Sequence, residues 1–404
     1  MNKSAISGVI AVLLGLNATT LAATSFTEAV TSGTANLGFR YRFERVDQQG
    51  MLKEATASTL RTRLNYKSAS YNRFSFFAEL DDVSYIGDDD FANTRNDKGG
   101  AYPVIADPDG TGVNQLYFDY QAENALFRLG RQRINLDNQR FIGSVGWRQN
   151  EQTYDSATVV ITGVTNSVIV YSFVDNVSRI FGPENGTPAK DLDTNTHVLN
   201  YKYSKGTFGT LVGYGYFLDI EDAPSISSRT IGMRYTNSFA LEGGWSIPLA
   251  LEYADQQDYG DNPTSYSANY YLLSAGVETP VITVTFNYEV LGGNASSPGE
   301  RFTTPLATLH AHQGWNDRFL NTPGAGIVDV YVKFDAKLFG TKAALIYHDF
   351  SADDGGAEYG SEIDIAITKK ISDRWSLLFK YSRYNENGFS SDTSKAWFMV
   401  TVNF

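Results

Sequence analysis

Polar and apolar residues take alternate places along nearly the whole of this sequence, and that two-residue period is what most restricts its fold. In ANLGFRYRFE, Leu37, Phe39, Tyr41 and Phe43 fall on one face and Asn36, Arg40, Arg42 and Glu44 on the other. In TLRTRLNYK, Leu60, Leu64 and Tyr66 oppose Arg61, Arg63 and Asn65. Successive side chains of a β-strand point to opposite faces, so these are strands with one greasy and one wet side. A soluble sandwich also alternates, but it seldom sets paired arginines behind aromatic rings on one strand. In lipid, the apolar face points outward and the polar face lines a lumen.

About eighteen such segments can be counted, starting near residues 36, 58, 73, 113, 125, 152, 166, 196, 207, 228, 245, 268, 281, 327, 341, 358, 374 and 395. The links between them alternate in length. SASYN, QAEN, GVT, TP and KISDR are short, whereas residues 84–112, 133–151, 176–195 and 292–326 form long connections. In a bilayer only a helix or a closed barrel satisfies its own backbone, so an open sheet is inadmissible. The expected fold is all-β: a transmembrane antiparallel β-barrel of about eighteen strands, with short periplasmic turns and long extracellular loops. A barrel this wide cannot be filled by wall side chains alone, so its lumen holds water, folded-in loops, or both.

The two ends agree with this plan. MNKSAISGVIAVLLGLNATTLAA has a lysine near its start, an apolar run and small residues up to Ala23, the pattern of an export signal over residues 1–23. Residues 24–404 then form one barrel domain, since no linker or shift in composition divides them. The chain has no cysteine, which excludes disulfides and thiolate chemistry. Its final residues, KAWFMVTVNF, alternate and end on an aromatic residue. They resemble the closing strand of bacterial outer-membrane barrels, which implies a Gram-negative outer membrane. Its partners there would be membrane lipid, lipopolysaccharide and the barrel-assembly machinery.

The alternation assigns Arg40, Arg42, Arg61, Arg63, Arg128, Lys202, Arg234, Lys333 and Lys380 to the lumen. Glu44, Glu79, Asp81, Asp119, Glu252, Glu289, Asp329 and Glu362 fall on the same side. The four arginines at 40, 42, 61 and 63 lie on adjacent strands, with Glu79 and Asp81 on the next, so a transverse field across the pore is expected.

The stretch LGRQRINLDNQRFIGSVGWRQ concentrates further arginines in an otherwise acidic chain of net charge -12. Strict alternation after Arg128 would aim Arg131 and Arg133 at lipid, at a cost of roughly 2–4 kcal/mol each near the midplane. The strand is therefore expected to end or bulge at Gly130. A long loop would then carry Arg131, Arg133, Arg140 and Arg148 to the pore interior or its mouth, with Asp137 and Glu151 available to neutralise them.

GRQRINLDNQRFIGSVGWRQNEQTYDS, residues 130–156, resembles the signature region of the alginate-export outer-membrane family. FTTPLATLHAHQGWNDRFLNTPGAGIVDVYV, residues 302–332, resembles that family's late loop and the strand it enters. The resemblance implies a monomeric 18-stranded barrel whose arginine-lined constriction passes an anionic polyuronate. Arg131 and Arg140 are its expected carboxylate contacts, with Asp137 orienting them. A guanidinium suits this task because it donates two parallel hydrogen bonds to one carboxylate.

Other chemistries find less support in the sequence. The four histidines, His197, His310, His312 and His348, form no nucleophile motif, so no enzyme is expected. No nucleotide, redox cofactor or metal is called for. DPDGTG, Asp107 to Gly112, lacks the later glutamate of a calcium loop and is expected to be a turn. The acidic balance and the absence of a basic helix argue against nucleic acid. The acidic runs Asp88–Asp90, Asp219–Asp222 and Asp353–Asp354, assigned to outer loops, would repel a polyanion. A general small-solute porin and a non-conducting adhesive or structural barrel therefore remain alternatives.

Overall fold

The structure is a computed structural model and describes residues 22–404. The expected export signal lies outside these residues except for its last two, of which Ala23 donates its backbone N–H to the Ser70 carbonyl at 2.7 Å. A short helix, α1 (Phe26–Thr31), follows, its N-terminus capped by the Ser25 hydroxyl accepting from the Glu28 N–H.

Eighteen strands among the described residues make one sheet. The first half runs β1 (Thr34–Gln48), β2 (Ala55–Lys67), β3 (Phe74–Asp90), β4 (Gly110–Gln121), β5 (Ala125–Gln132), β6 (Thr153–Ile161), β7 (Ser167–Ser178), β8 (Asp191–Ser204) and β9 (Thr210–Leu218). The second half runs β10 (Ser228–Ala240), β11 (Ser246–Asp258), β12 (Ser267–Glu278), β13 (Ile282–Leu291), β14 (Ile327–Leu338), β15 (Thr341–Ser351), β16 (Glu358–Lys370), β17 (Trp375–Glu386) and β18 (Thr393–Asn403). Each strand pairs antiparallel with the next. β18 returns to β1 in a register from Gly38 opposite Asn403 to Gln48 opposite Thr393, which closes the barrel and leaves the sheet no terminal edge.

The distribution of side chains is inverted relative to a soluble protein. Phe118, Leu129, Met233, Phe286 and Tyr347 are exposed on the outer face, whereas Arg42, Glu44, Arg128, Glu289 and Glu362 are buried within. All the charged strand residues assigned to the lumen by alternation lie on the inward set, buried or half-buried. No helix among the described residues is long and apolar enough to cross a membrane.

Three boundaries differ from the sequence reading. β3 runs on through Asp90, so Asp88–Asp90 belong to a strand that projects past the start of the loop, with Asp90 opposite Thr56. β8 begins at Asp191, because a bulge at Val174–Asn176 lets the β7–β8 ladder continue where simple alternation breaks. β5 does not end at Gly130. It continues to Gln132 with Arg131 directly opposite Asp155 of β6, and only then does the chain leave the wall.

Candidate functional site

Residues 133–152 turn inward from the end of β5. Gly130, at φ +123°, sets up this departure: a Cβ there would lie 2.3 Å from the Leu116 carbonyl, so only glycine lets β5 approach β4 this closely. The inserted segment carries apolar residues into a polar lumen. Phe141 packs against the rings of Tyr214, Tyr216, Tyr270 and Phe302 at centroid distances of 5.2, 5.9, 5.4 and 5.9 Å. Ile134, Leu136 and Ile142 are buried in the same cluster, so burial of this apolar surface favours the inserted position.

A second segment, from Arg301 to Leu320 of the β13–β14 connection, enters from the opposite wall and bonds to the first. The backbone of Gly143 donates to Leu306 O at 2.9 Å and that of Thr308 to Gln139 O at 3.0 Å. Trp147 stacks on His310 with ring centroids 4.4 Å apart. The two segments thus act as one plug.

The arginines meet this plug instead of open water. Arg40 donates to Gln149 Oε1 at 2.9 Å, to Gly146 O at 2.8 Å and to the Arg148 carbonyl. Arg42 donates to Trp147 O at 2.7 Å and pairs with Glu44 at 3.0 Å and Asp107 at 3.5 Å. Glu151, at the end of the first segment, pairs with Arg61 at 3.3 Å, Arg63 at 3.0 Å and Arg133 at 2.5 Å. Arg63 also grips Asp81 with two hydrogen bonds, and Arg133 reaches Glu79 at 2.6 Å. Burial alone would raise the Glu151 carboxyl, but Arg63, Arg133 and Arg61 outweigh it and hold it well below the usual carboxylate range. The expected transverse field is therefore closed by direct contact.

The remaining arginines divide by location. Arg128 holds Asp119 through two bonds at 2.7 and 2.9 Å and lies 3.6 Å from the Tyr117 ring centre. Arg140 is buried and pairs with Glu289 of β13 at 2.8 Å. Arg148 bridges Glu44 at 3.3 Å and Asp317 of the second segment at 3.2 Å. Lys395 also holds Asp317, at 2.8 Å.

Arg131 does not point inward. It shares the outward face with Asp155, bonded at 2.8 and 2.7 Å, and so avoids an unpaired charge on that face by pairing across strands. Asp137 orients neither Arg131 nor Arg140. Its left-handed backbone, φ +52°, turns it toward Asn200 at 2.7 Å and Lys202 at 3.5 Å on β8.

Two site residues escaped the sequence reading. Asp107, assigned there to a simple turn, is buried and accepts the Gln149 N–H at 2.8 Å besides facing Arg42. Asp317 joins the second segment to both Arg148 and Lys395. Neither sits in an alternating segment, so periodicity carries no signal for them.

The family model for alginate export matches residues 33–169, about a third of the chain. The match spans β1 to the start of β7 and takes in the first inserted segment but not the second. No curated protein sequence matches the chain. Solved structures match along nearly its whole length. OccAB4 of Acinetobacter baumannii gives a TM-score of 0.72 at 13% identity, covering 92% of this chain and 98% of that one. OccK8 (OprE) of Pseudomonas aeruginosa gives 0.72 at 15%, covering 93% and 99%. The outer membrane protein OpdK of Pseudomonas aeruginosa gives 0.72 at 12%, covering 93% and 99%. At these identities the likeness is one of fold, a closed antiparallel barrel.

Proposed function

We propose that this chain, an 18-stranded barrel whose residues 33–169 match the alginate-export family, is a passive channel for acidic saccharides in a Gram-negative outer membrane. It works as a monomer, surrounded by lipid and lipopolysaccharide and inserted by the assembly machinery that serves such barrels. Its short turns face the periplasm and its long loops the exterior. The comparison is with a family named for export and not for catalysis.

One observation carries this reading. Arg61, Arg63 and Arg133 converge on the carboxylate of Glu151, which belongs to an inserted segment and not to the wall. A carboxylate on a passing solute presents the same two oxygens to the same guanidinium donors. It can replace Glu151 without leaving any cation bare, and Glu151 can replace it as it departs. Conduction requires sites favourable enough to enter and weak enough to leave, and a ladder with its own competing carboxylates has both properties. Arginines with no counter-charge would instead hold a polyanion fast.

The competing reading is a general small-solute porin, favoured because most lumen arginines, Arg40 excepted, already face a carboxylate. Flux into liposomes decides between them. Uronate oligomers should enter faster than neutral oligosaccharides of equal size. Equal rates would favour the general porin, and no flux of either would leave a structural or adhesive barrel.

A further inference from the structure

On the short-turn side of the inserted segments lies a cavity of about 490 Å³, bordered by Arg234, Lys333 and Lys380 of the wall and by His312, Gln313 and Trp315 of the second segment. Its cations are not equally matched. Arg234 pairs with Glu252 and Lys333 with Asp335. Lys380 is 6% exposed and, among the described residues, has no carboxylate oxygen within 4 Å. Its ammonium lies 3.6 Å from the ring centre of Trp315 and 4.3 Å from that of Trp147, with His310 Nε2 at 2.7 Å.

A second, independent observation falls on the same cavity. Trp147 Nε1, Gln313 Nε2, His312 Nε2 and His348 Nε2 are buried and have no hydrogen-bond partner, and all four residues border this space. The carboxylates that also border it are engaged, Glu289 by Arg140 and Asp329 by His348 Nδ1 at 2.9 Å. Buried polar groups are normally satisfied, so these atoms describe what is missing.

Their chemistry divides in two. The Lys380 ammonium, the Gln313 amide and the Trp147 indole N–H are donors, which call for an anion with several acceptor oxygens. His348 donates through Nδ1 to Asp329, and its Nε2 faces Asp364 Oδ2 at 3.8 Å, so both of its nitrogens are directed at wall carboxylates. His312, held by the backbone of Asn138 and kept neutral by burial, offers Nε2 as an acceptor, which calls for a hydroxyl.

We propose that this cavity binds one hydroxylated carboxylate of ring size, a single sugar-acid unit, reached from the short-turn end. The volume lies within the usual range of small-molecule sites, about 300–1,000 Å³. The proposal rests on the channel reading above and adds to it a loading site separate from the Glu151 ladder.

Calorimetric titration of the full barrel in detergent tests it, with D-glucuronate as the probe. Glucose lacks the carboxylate and cyclohexanecarboxylate lacks the hydroxyls; each should bind roughly tenfold or more weakly than glucuronate. Lys380→Met and Gln313→Glu should each weaken glucuronate by a similar factor while the unboiled protein keeps the gel mobility of a folded barrel. Gln313→Glu keeps the oxygen that accepts from Arg140, so it decides the matter alone should Lys380→Met not fold. No glucuronate binding to the wild type, equal binding of the three probes, or unchanged affinity in the folded variants would overturn the site. Uronate flux without glucuronate binding removes the site and keeps the channel; glucuronate binding without flux does the reverse.

Discussion

Arg140, at the tip of the first inserted segment, meets Glu289 of β13 at 2.8 Å, and both side chains are almost wholly shut from solvent. The pair ties the far end of the plug to the wall opposite its root. Removing one partner leaves a buried charge uncompensated, which typically costs about 3–5 kcal/mol. Glu289→Gln should therefore free residues 133–152, seen as faster proteolysis within that segment and higher open-channel current. Replacing both residues by apolar ones of similar size should recover most of the loss.

Arg131 gives the opposite expectation. It sits outside with Asp155, both part-exposed on the outward face, so its charge is held away from the lumen. Arg131→Gln should leave the reversal potential in a salt gradient unchanged and lower thermal stability, because Asp155 loses its partner on that face. A change in selectivity would mean that its side chain reaches the pore.

Acid should loosen the plug, and the sign follows from His312. Burial, with the nearby Arg140 adding to it and Glu289 opposing, pushes the imidazole down to about 3, so the inserted form needs the ring neutral. A histidine whose folded value is depressed contributes its full stability above its ordinary value of about 6.5 and loses it as pH falls toward the folded value. Glu151 is also held low, so its contribution remains until the pH drops below about 4.5 and works in the same direction. Between about pH 6.5 and 4.5 the two buried histidines of the second segment govern, since burial and the neighbouring Lys380 hold His310 well below its ordinary value as well. Proteolysis of residues 301–320 should quicken on going from about pH 7 to about pH 5, and His312→Gln should weaken that dependence, with His310 supplying what remains.

The wall was readable in the sequence because lipid and water impose a strict two-residue period on it. Strand starts at residues 125, 228, 327, 341 and 358 match their positions in the structure. The plug was readable only in part. The charge of Arg131 on a lipid-side position and the glycine before it pointed to a break, but a cross-strand partner such as Asp155 can also resolve that conflict. Whether an arginine is free or matched depends on residues far away in sequence. The Arg148–Asp317 and Arg42–Asp107 contacts join segments that no local pattern links.

The central claim is that Glu151 masks three guanidinium groups, those of Arg61, Arg63 and Arg133, at the heart of the lumen. The reversal potential in a salt gradient across a planar bilayer, measured for the wild type and for Glu151→Gln, tests it most directly. Glutamine keeps the size and one acceptor oxygen but removes the charge, so the variant should shift clearly toward anion selectivity. Identical reversal potentials, with both proteins folded and conducting, would contradict the claim.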